Sequence, residues 1–417
     1  MLSTTLTYTE TYLWRSLHIA AVVLGLAGCG GGGGAGGGEP STGSGPVGGT
    51  VADRFDGWGT ARPTLDVRPN PVSTTCGGTI SPQSPTFQAV GDFKVYQGDC
   101  VASLTLSAEE LRRITDGDGL FDPQPFAKRF SATYRDAFDF LLLVLDHPGA
   151  PPTFLYSGRY VSLNTRVPER VRRLLGVVVL PFAVDPRGNL NAIVGGPLLH
   201  ELMHEWGNNG SLPNPEDPAH WGFSSAGGQL GGWHAPSGVE RLPDNTFRAK
   251  GPPSLCLSAL TDAACQPRPS FGTIANGGNS VQYSQLELFL LGFVRPSDLV
   301  PIEVALDAKW KNQIAGEFTV TKWSTLSAQD LLANLGSRAP NFVTPQRFFR
   351  TATLVLTQKV SLDAATVDAL NQSLSGFSSQ ATPSFARDGI ALALHSFTSA
   401  TSGEGFMRAG GLSQEVR

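Results

Sequence analysis

The sequence predicts an α+β fold, and three observations support this prediction. Short β-rich segments separated by Gly, Pro and Asp follow one another over residues 87–106. Two continuous apolar runs, residues 138–145 and 177–182, have the length of buried strands. Residues 198–207 carry apolar side chains at the spacing of an amphipathic helix. We therefore expect a mixed β-sheet that packs against this helix, preceded by a β-rich N-terminal part.

Composition excludes two classes of protein. The 417 residues include 31 Lys and Arg against 35 Asp and Glu, which gives a formal net charge of −4. Because nucleic-acid binding depends on clustered basic residues that neutralise phosphates, we expect no nucleic-acid partner. A hydrophobic content of 41% is sufficient for a core, and the one long apolar stretch lies near the N-terminus. This excludes a membrane protein with several spans.

The N-terminal apolar stretch has the features of an export signal. Residues 17–27 are too few to span a bilayer comfortably, and they end in the sequence Leu26-Ala27-Gly28-Cys29, which is followed by a Gly-rich tether to residue 50. This pattern resembles the lipobox of a bacterial lipoprotein. The resemblance implies that residues 1–28 are a cleaved signal peptide and that Cys29 is lipidated. It also implies membrane anchoring through the lipid in the cell envelope, at the outer membrane or cell surface. An ordinary signal peptide with an incidental cysteine is the alternative.

The other four cysteines are typical of an exported protein with disulfides. None lies in a CxxC motif, so neither a thiolate zinc site nor a thioredoxin-type redox site is favoured. Four cysteines allow three pairings, of which the local one is the simplest. The candidates are Cys76 with Cys100 and Cys256 with Cys265.

We divide the rest of the chain into three regions. Residues 51–122 form the β-rich N-terminal part, residues 123–395 the main domain, which contains the predicted helix at 198–207, and residues 396–417, which are polar and contain glycine, a loose tail. Further predicted elements are helices at 107–114, 126–136, 284–293 and 364–374 and a strand at 352–357.

The predicted helix at 198–207 contains the motif His200-Glu201-Leu202-Met203-His204. Residues four apart lie one above the other on a helix, so His200 and His204 share a face opposite the apolar stripe. Two imidazoles in this relation can bind one Zn²⁺ ion, and Glu201 beside them can act on a metal-bound water. The sequence therefore predicts His200 and His204 as metal ligands and Glu201 as the catalytic residue.

The run HELMHEWG, residues 200–207, resembles the zincin metallopeptidases, and its HExxHxxG pattern is similar to the metzincin branch. The resemblance implies a zincin-like catalytic domain that hydrolyses peptide bonds in a polypeptide substrate, with Glu201 as general base on zinc-bound water. Two features depart from the branch. Gly210 stands where short metzincins have a third histidine, and the methionine turn is absent. Residues 227–232 are the candidate for the equivalent turn, with Leu230 in the place of the methionine.

The third ligand has several candidates. His220 is favoured, because leishmanolysin-like metzincins insert a loop before their third histidine and residues 208–219 have the composition of such a loop. Glu287, in the predicted helix 284–293, is the alternative by resemblance to gluzincins such as thermolysin. The remaining candidates are His234, Glu216 and Asp217. Tyr283 and His234 are candidate donors to a developing oxyanion.

Two alternative functions belong to different classes. A surface lipoprotein could keep a zincin scaffold as a non-catalytic binding module. A zinc hydrolase could act on a non-peptide bond, because a metal ion, a water molecule and a carboxylate serve several electrophiles. A serine hydrolase lacks support, since the sequence contains no GxSxG motif.

Overall fold

The architecture is that of a computed structural model, which describes residue 76 and residues 85–115, 122–146, 159–162, 173–180, 193–207, 210–214, 217–253, 270–336, 341–343, 345–380, 384–387 and 390–417. Helices and strands mix along these ranges, so the predicted α+β class is confirmed. The strands are β1 (Phe87–Val90), β2 (Phe93–Tyr96), β3 (Val101–Thr105), β4 (Phe140–Asp146), β5 (Arg159–Ser162), β6 (Gly176–Leu180), β7 (Val239–Arg241), β8 (Thr246–Ala249), β9 (Ile302–Ala305), β10 (Lys309–Asn312), β11 (Glu317–Thr319), β12 (Trp323–Leu326), β13 (Phe348–Thr357), β14 (Ser384–Arg387), β15 (Ile390–Ala393) and β16 (Phe406–Ala409). The α-helices are α1 (Ala108–Thr115), α2 (Gln124–Thr133), α3 (Leu198–Gly207), α4 (Gln285–Leu290), α5 (Ala328–Leu335), α6 (Ala364–Phe377) and α7 (Phe397–Ala400).

The central sheet has eight strands, seven of them in the order β1-β2-β3-β13-β4-β6-β5, with β16 paired to the first half of β13. Strand β13 runs parallel to β3, β4 and β16, whereas β1, β2 and β5 pair antiparallel with their neighbours. The sheet is therefore mixed, as predicted. The β-rich segment before residue 106 contributes three of its strands.

Both faces of the sheet are covered, which explains why β4 and β6 are continuous apolar runs. Successive strand residues point to opposite faces. Leu142 and Val144 belong to the cluster that contains α3, α4 and α6, whereas Leu141 and Leu143 belong to the cluster that contains α1 and α2. The helix with the histidines thus lies on one side of a three-layer arrangement.

The smaller sheets lie in the second half of the chain. One has the order β10-β11-β8-β7, and two hairpin-like pairs are β9 with β12 and β14 with β15. An aromatic cluster packs against the four-stranded sheet, and Trp233 stacks on Phe318 with ring centroids 5.7 Å apart. Trp233 is fully buried, so it is a core residue and does not line an open cleft.

A disulfide joins Cys76 to Cys100, which confirms the local pairing predicted for these two cysteines. It ties the chain before β1 to the start of β3. The second predicted pair, Cys256 with Cys265, lies outside the described residues, as do Cys29, the signal peptide and the tether.

The prediction of a loose tail over residues 396–417 is wrong. This segment contains α7 and β16, and Leu412 and Ala409 are buried. Strand β16 pairs with β13 in the central sheet, and Val416 forms a β-bridge with Tyr134. The polar composition misled the prediction, because a strand at a sheet edge buries only alternate residues.

The predicted helices are present, with shifted ends. Helix α2 covers residues 124–133 because Pro125 fits its first turn and Tyr134 is already extended. Helix α4 starts after Ser284, whose side chain and that of Glu287 form a capping box, and it stops before Gly292, whose φ is +81°. Among the described residues, no helix combines the length and hydrophobicity needed to cross a bilayer.

Candidate metal centre

Helix α3 is buried along its whole length and is held at its N-terminal end by side chains from the loop before α4. Asn279 accepts a hydrogen bond from the backbone N–H of Leu199 at 3.0 Å, which satisfies a donor that has no partner within the helix. The hydroxyl of Tyr283 donates to the carbonyl oxygen of Leu199 at 2.9 Å. Because Leu202 and Met203 are completely buried in the core next to the sheet, the helix has a fixed rotation about its axis.

This rotation brings three imidazoles together. The Nε2 atom of His200 lies 3.2 Å from Nε2 of His204 and 3.4 Å from Nε2 of His220. Each of the three rings offers one ligand atom, and these atoms all lie within 4.8 Å of one another. Two nitrogens bound to one zinc ion at about 2.0–2.1 Å in a tetrahedral arrangement are separated by ~3.3 Å. The buried cluster of His200, His204 and His220 could therefore hold a metal ion.

In two of the rings, a hydrogen bond made by Nδ1 determines that Nε2 is the atom that faces the cluster. Nδ1 of His200 donates to the carbonyl oxygen of Gln229 at 2.8 Å, and Nδ1 of His220 donates to Oδ2 of Asp217 at 2.7 Å. Since these partners only accept, both neutral rings carry their proton on Nδ1 and direct the lone pair of Nε2 into the cluster. Two lone pairs that face each other at 3.4 Å repel, and a bound cation removes this repulsion.

Burial favours the neutral rings that metal binding requires. Desolvation, with a further contribution from the neighbouring His220, lowers the pKa of His200 to about 3. Desolvation also lowers the pKa of His220, although the Asp217 carboxylate acts in the opposite direction. Both imidazoles are therefore unprotonated at neutral pH, which is the state that binds a metal ion.

His220, the favoured third candidate, reaches the cluster on the loop that follows α3. Asn214 donates to the carbonyl oxygen of His220 at 3.1 Å, and the N–H of Trp221 donates to the carbonyl oxygen of Leu230 at 2.8 Å. The loop is thus fastened on both sides of the histidine. Gly207 ends α3 with a φ that is not positive, so close packing explains the glycine here. A Cβ atom there would lie 2.4 Å from Cδ1 of Leu230.

Glu287, the rival third ligand, does not join the cluster. Its fully buried carboxylate accepts hydrogen bonds from Trp221 Nε1 at 2.9 Å and from the backbone N–H groups of Gln229 at 3.0 Å and Leu230 at 2.8 Å. It also accepts from the backbone N–H of Ser284 at 2.9 Å. Burial raises the pKa of this carboxyl, and the four hydrogen bonds act against that increase.

The other candidates have different roles. Asp217 orients His220 instead of joining the three ring nitrogens, and Nδ1 of His234 pairs with the hydroxyl of Ser237 at 2.9 Å. The hydroxyl of Tyr283 is bonded to the backbone of α3, which leaves it no evident part as an oxyanion donor. Glu216 lies outside the described residues. Glu201 is buried and follows His200 on α3, one residue further along the helix.

The turn over residues 227–232 lies beside the cluster, as proposed for the equivalent of a methionine turn. Gly228 and Gly231 pair across it, and its Gln229 carbonyl is the partner of His200. Asn276 donates to the carbonyl oxygens of Gly228 and Gly232, each at 2.9 Å. Sequence reasoning did not identify Gln229, because a backbone carbonyl leaves no residue-type signal.

No known protein family, curated protein or solved structure matches this chain. What the centre can do is therefore inferred from its own geometry. The relevant observations are three ring nitrogens at ligand spacing, the acceptors behind two of them, and a carboxylate next to the first histidine on the same helix.

Proposed function

We propose that this chain is a zinc-dependent endopeptidase on a lipid-anchored protein of the cell envelope, with a zincin-like catalytic domain. The convergence of the three Nε2 atoms at 3.2 and 3.4 Å is the observation that carries the proposal. Three protein ligands and a remaining open position are characteristic of catalytic zinc sites, whereas structural zinc sites are closed by four protein ligands.

The donor set favours zinc over calcium and magnesium. Imidazole nitrogens suit zinc and other transition metals, whereas calcium and magnesium prefer oxygen ligands. His200, His204 and His220 would hold the ion through Nε2, and the Gln229 carbonyl and the Asp217 carboxylate would keep the rings in place. When bound, zinc supplies a Lewis acid that polarises a carbonyl group and makes water a stronger acid.

The chain itself supplies the proton transfers. Glu201 follows His200 directly, so its carboxylate would lie beside the metal position and accept the proton of the attacking water. The same carboxyl group would then pass that proton to the leaving amine. The core packing of α3 would hold Glu201 at a constant distance from the three histidines, because core side chains at close packing allow little movement.

Two measurements, zinc content and polypeptide cleavage, would distinguish this proposal from its alternatives. A non-catalytic binding protein would bind zinc without hydrolysing anything, and a hydrolase of another bond would leave polypeptides intact. The test is to purify the full-length chain in mild detergent, measure zinc by elemental analysis, and incubate the protein with an unstructured polypeptide. We expect one zinc per chain and cleavage that a chelator abolishes. Zinc without cleavage would contradict the endopeptidase proposal, and absence of zinc would contradict the metal centre.

A further inference from the structure

Glu287 is a buried acid near the metal centre, and both of its carboxylate oxygens are hydrogen-bonded. Its carboxylate is 0% exposed, and each of its oxygens accepts two hydrogen bonds. Oε1 accepts from Trp221 Nε1 and the N–H of Leu230, whereas Oε2 accepts from the N–H groups of Gln229 and Ser284. All four partners are donors, so the site is built for a carboxylate that accepts at both oxygens.

The four donors belong to the segments that carry the metal-binding side chains and their supports. Trp221 follows His220 directly in the chain. Gln229 uses its N–H for Glu287 and its carbonyl oxygen for Nδ1 of His200. Ser284 is the N-cap residue of α4, the helix that carries Glu287 itself. One buried group therefore connects the His220 loop and the turn behind His200 to the same helix.

The turn also makes space for this carboxylate. A Cβ atom on Gly228 would lie 2.0 Å from Oε2 of Glu287, so a side chain at position 228 would displace the acid. Asn276 fixes the same turn from the other side through the carbonyl oxygens of Gly228 and Gly232. The position of the Gln229 carbonyl is thus determined by the acid on one side and the amide on the other.

From these contacts we infer that Glu287 is a positioning residue for the metal centre: it sets the orientation of His200 through Gln229 and the placement of His220 through Trp221. The inference rests on the proposed metal site. Groups behind the ligands of a metal contribute to affinity because they hold the ligand rings in the binding geometry, and their loss typically weakens binding about 10–100-fold.

The decisive variant is Glu287→Gln in the full-length chain. Glutamine keeps the shape, but in either orientation its NH₂ group faces two N–H donors, which pushes the turn or the His220 loop away. The matched control is Asp139→Asn. Asp139 is also buried, at 2% exposure, but it accepts hydrogen bonds from Gln346 at 2.8 Å and the backbone of Arg350 at 2.7 Å.

Three measurements separate positioning from general stability: zinc affinity by chelator competition, the visible spectrum of the cobalt(II)-loaded protein, and Tm of the metal-free protein. We expect Glu287→Gln to weaken zinc binding about 10–100-fold and to change the cobalt spectrum. Asp139→Asn should lower Tm and leave both metal readouts unchanged. If Glu287→Gln binds zinc within about twofold of the wild type with an unaltered cobalt spectrum, the inference is wrong while the proposed metal site stands.

Two further outcomes are decisive. Should the wild-type chain itself bind neither zinc nor cobalt at one ion per chain, the proposed function fails and the inference fails with it. Should Glu287→Gln yield no folded protein, Trp221→Phe takes its place, because it removes the Nε1 donor at 2.9 Å while keeping an aromatic ring in the buried position. We expect Trp221→Phe to weaken zinc binding several-fold, and wild-type metal readouts in this folded variant would overturn the inference.

Discussion

Nδ1 of His200 donates a hydrogen bond to the carbonyl oxygen of Gln229, 2.8 Å away and 29 residues later in the chain. This bond links α3 to the turn over residues 227–232. His220 has the corresponding relation to the Asp217 carboxylate, at 2.7 Å. The rings of His200 and His220 are therefore held in the same tautomer, one by the neutral carbonyl of Gln229 and the other by the carboxylate of Asp217. The charged one can be altered by mutation without changing the backbone.

Asp217→Asn should weaken zinc binding about 10–100-fold, because the amide accepts a weaker hydrogen bond from Nδ1 of His220 and no longer increases the basicity of the ring. His220→Ala, which removes a ligand, should weaken binding further. Chelator competition on both variants measures the two effects. If the two variants lose the same affinity, Asp217 does more than orient the ring, and equal affinity for Asp217→Asn and wild type would rule out the orienting role.

Glu201→Gln should retain one zinc per chain and lose about 10²–10⁴-fold in kcat, because the amide keeps the shape of the side chain but cannot accept the proton of water. Elemental analysis and peptide-cleavage kinetics check the two parts separately. The neighbouring Glu205→Gln is the control for removing a carboxylate from α3. Unchanged turnover in Glu201→Gln would remove the proposed mechanism.

Replacing both Cys76 and Cys100 by Ser should lower the free energy of unfolding by about 3 kcal/mol, since the disulfide closes a loop between residues 24 apart and restricts the unfolded chain. Urea unfolding of the metal-free protein measures this loss. Zinc affinity of the folded variant should stay at the wild-type value, because the disulfide lies at the start of β3 and not in the segments that carry the three histidines. A loss of affinity would show that the two regions are coupled.

We expect His395 to make the stability of the metal-free protein depend on pH. Burial lowers the pKa of this histidine to about 4, so its neutral form is favoured in the folded state. The contribution of His395 to the free energy of unfolding is fully present above its pKa in the unfolded chain, about 6.5. It is lost as the pH falls toward 4, at up to ~1.4 kcal/mol per pH unit. We expect the metal-free wild type to lose about 2 kcal/mol more between pH 7 and pH 5 than His395→Gln. Parallel urea titrations with equal losses would exclude this assignment.

Cys29→Ser should release the protein from membranes, because the lipobox resemblance assigns the anchor to a lipid on this residue. Fractionation of cells followed by a high-salt wash measures the distribution. A Ser variant that still sediments with membranes would contradict the lipoprotein prediction. Zinc content of the released protein should equal that of the wild type, since Cys29 lies far along the sequence from the three histidines.

The sequence predicted those parts of the site that depend on helical periodicity. The spacing of His200 and His204 fixes their common face whatever surrounds the helix, and this is why both are in the cluster. His220 was harder to assign, because a loop residue has no periodic pattern and several acids and histidines follow the helix. Asp217 is a candidate ligand by residue type, yet its position three residues before His220 lets it accept a hydrogen bond from Nδ1 of that ring.

Glu287 shows what the sequence could not provide. The sequence shows an acid in an apolar helix, but a glutamate at such a position could serve either as a metal ligand or as a group that fixes a turn. The distinction lies in the partners, and two of these are backbone N–H groups of Gln229 and Leu230, which any residue supplies. The sheet was predictable from buried runs, whereas the pairing of β16 depended on contacts between residues far apart in the chain.

The place of β13 in the central sheet has a consequence for biosynthesis. Because β13 lies between β3 and β4, its hydrogen bonds to both form only after residue 357 has been synthesised. The ribosome must therefore make about six-sevenths of the 417-residue chain before the core closes. Long-range strand pairing of this kind is slow, so we expect the central sheet to be completed late in folding. Under the export that we propose, a chain that is still unfolded could be threaded through a translocation channel before the segments with the three histidines come together.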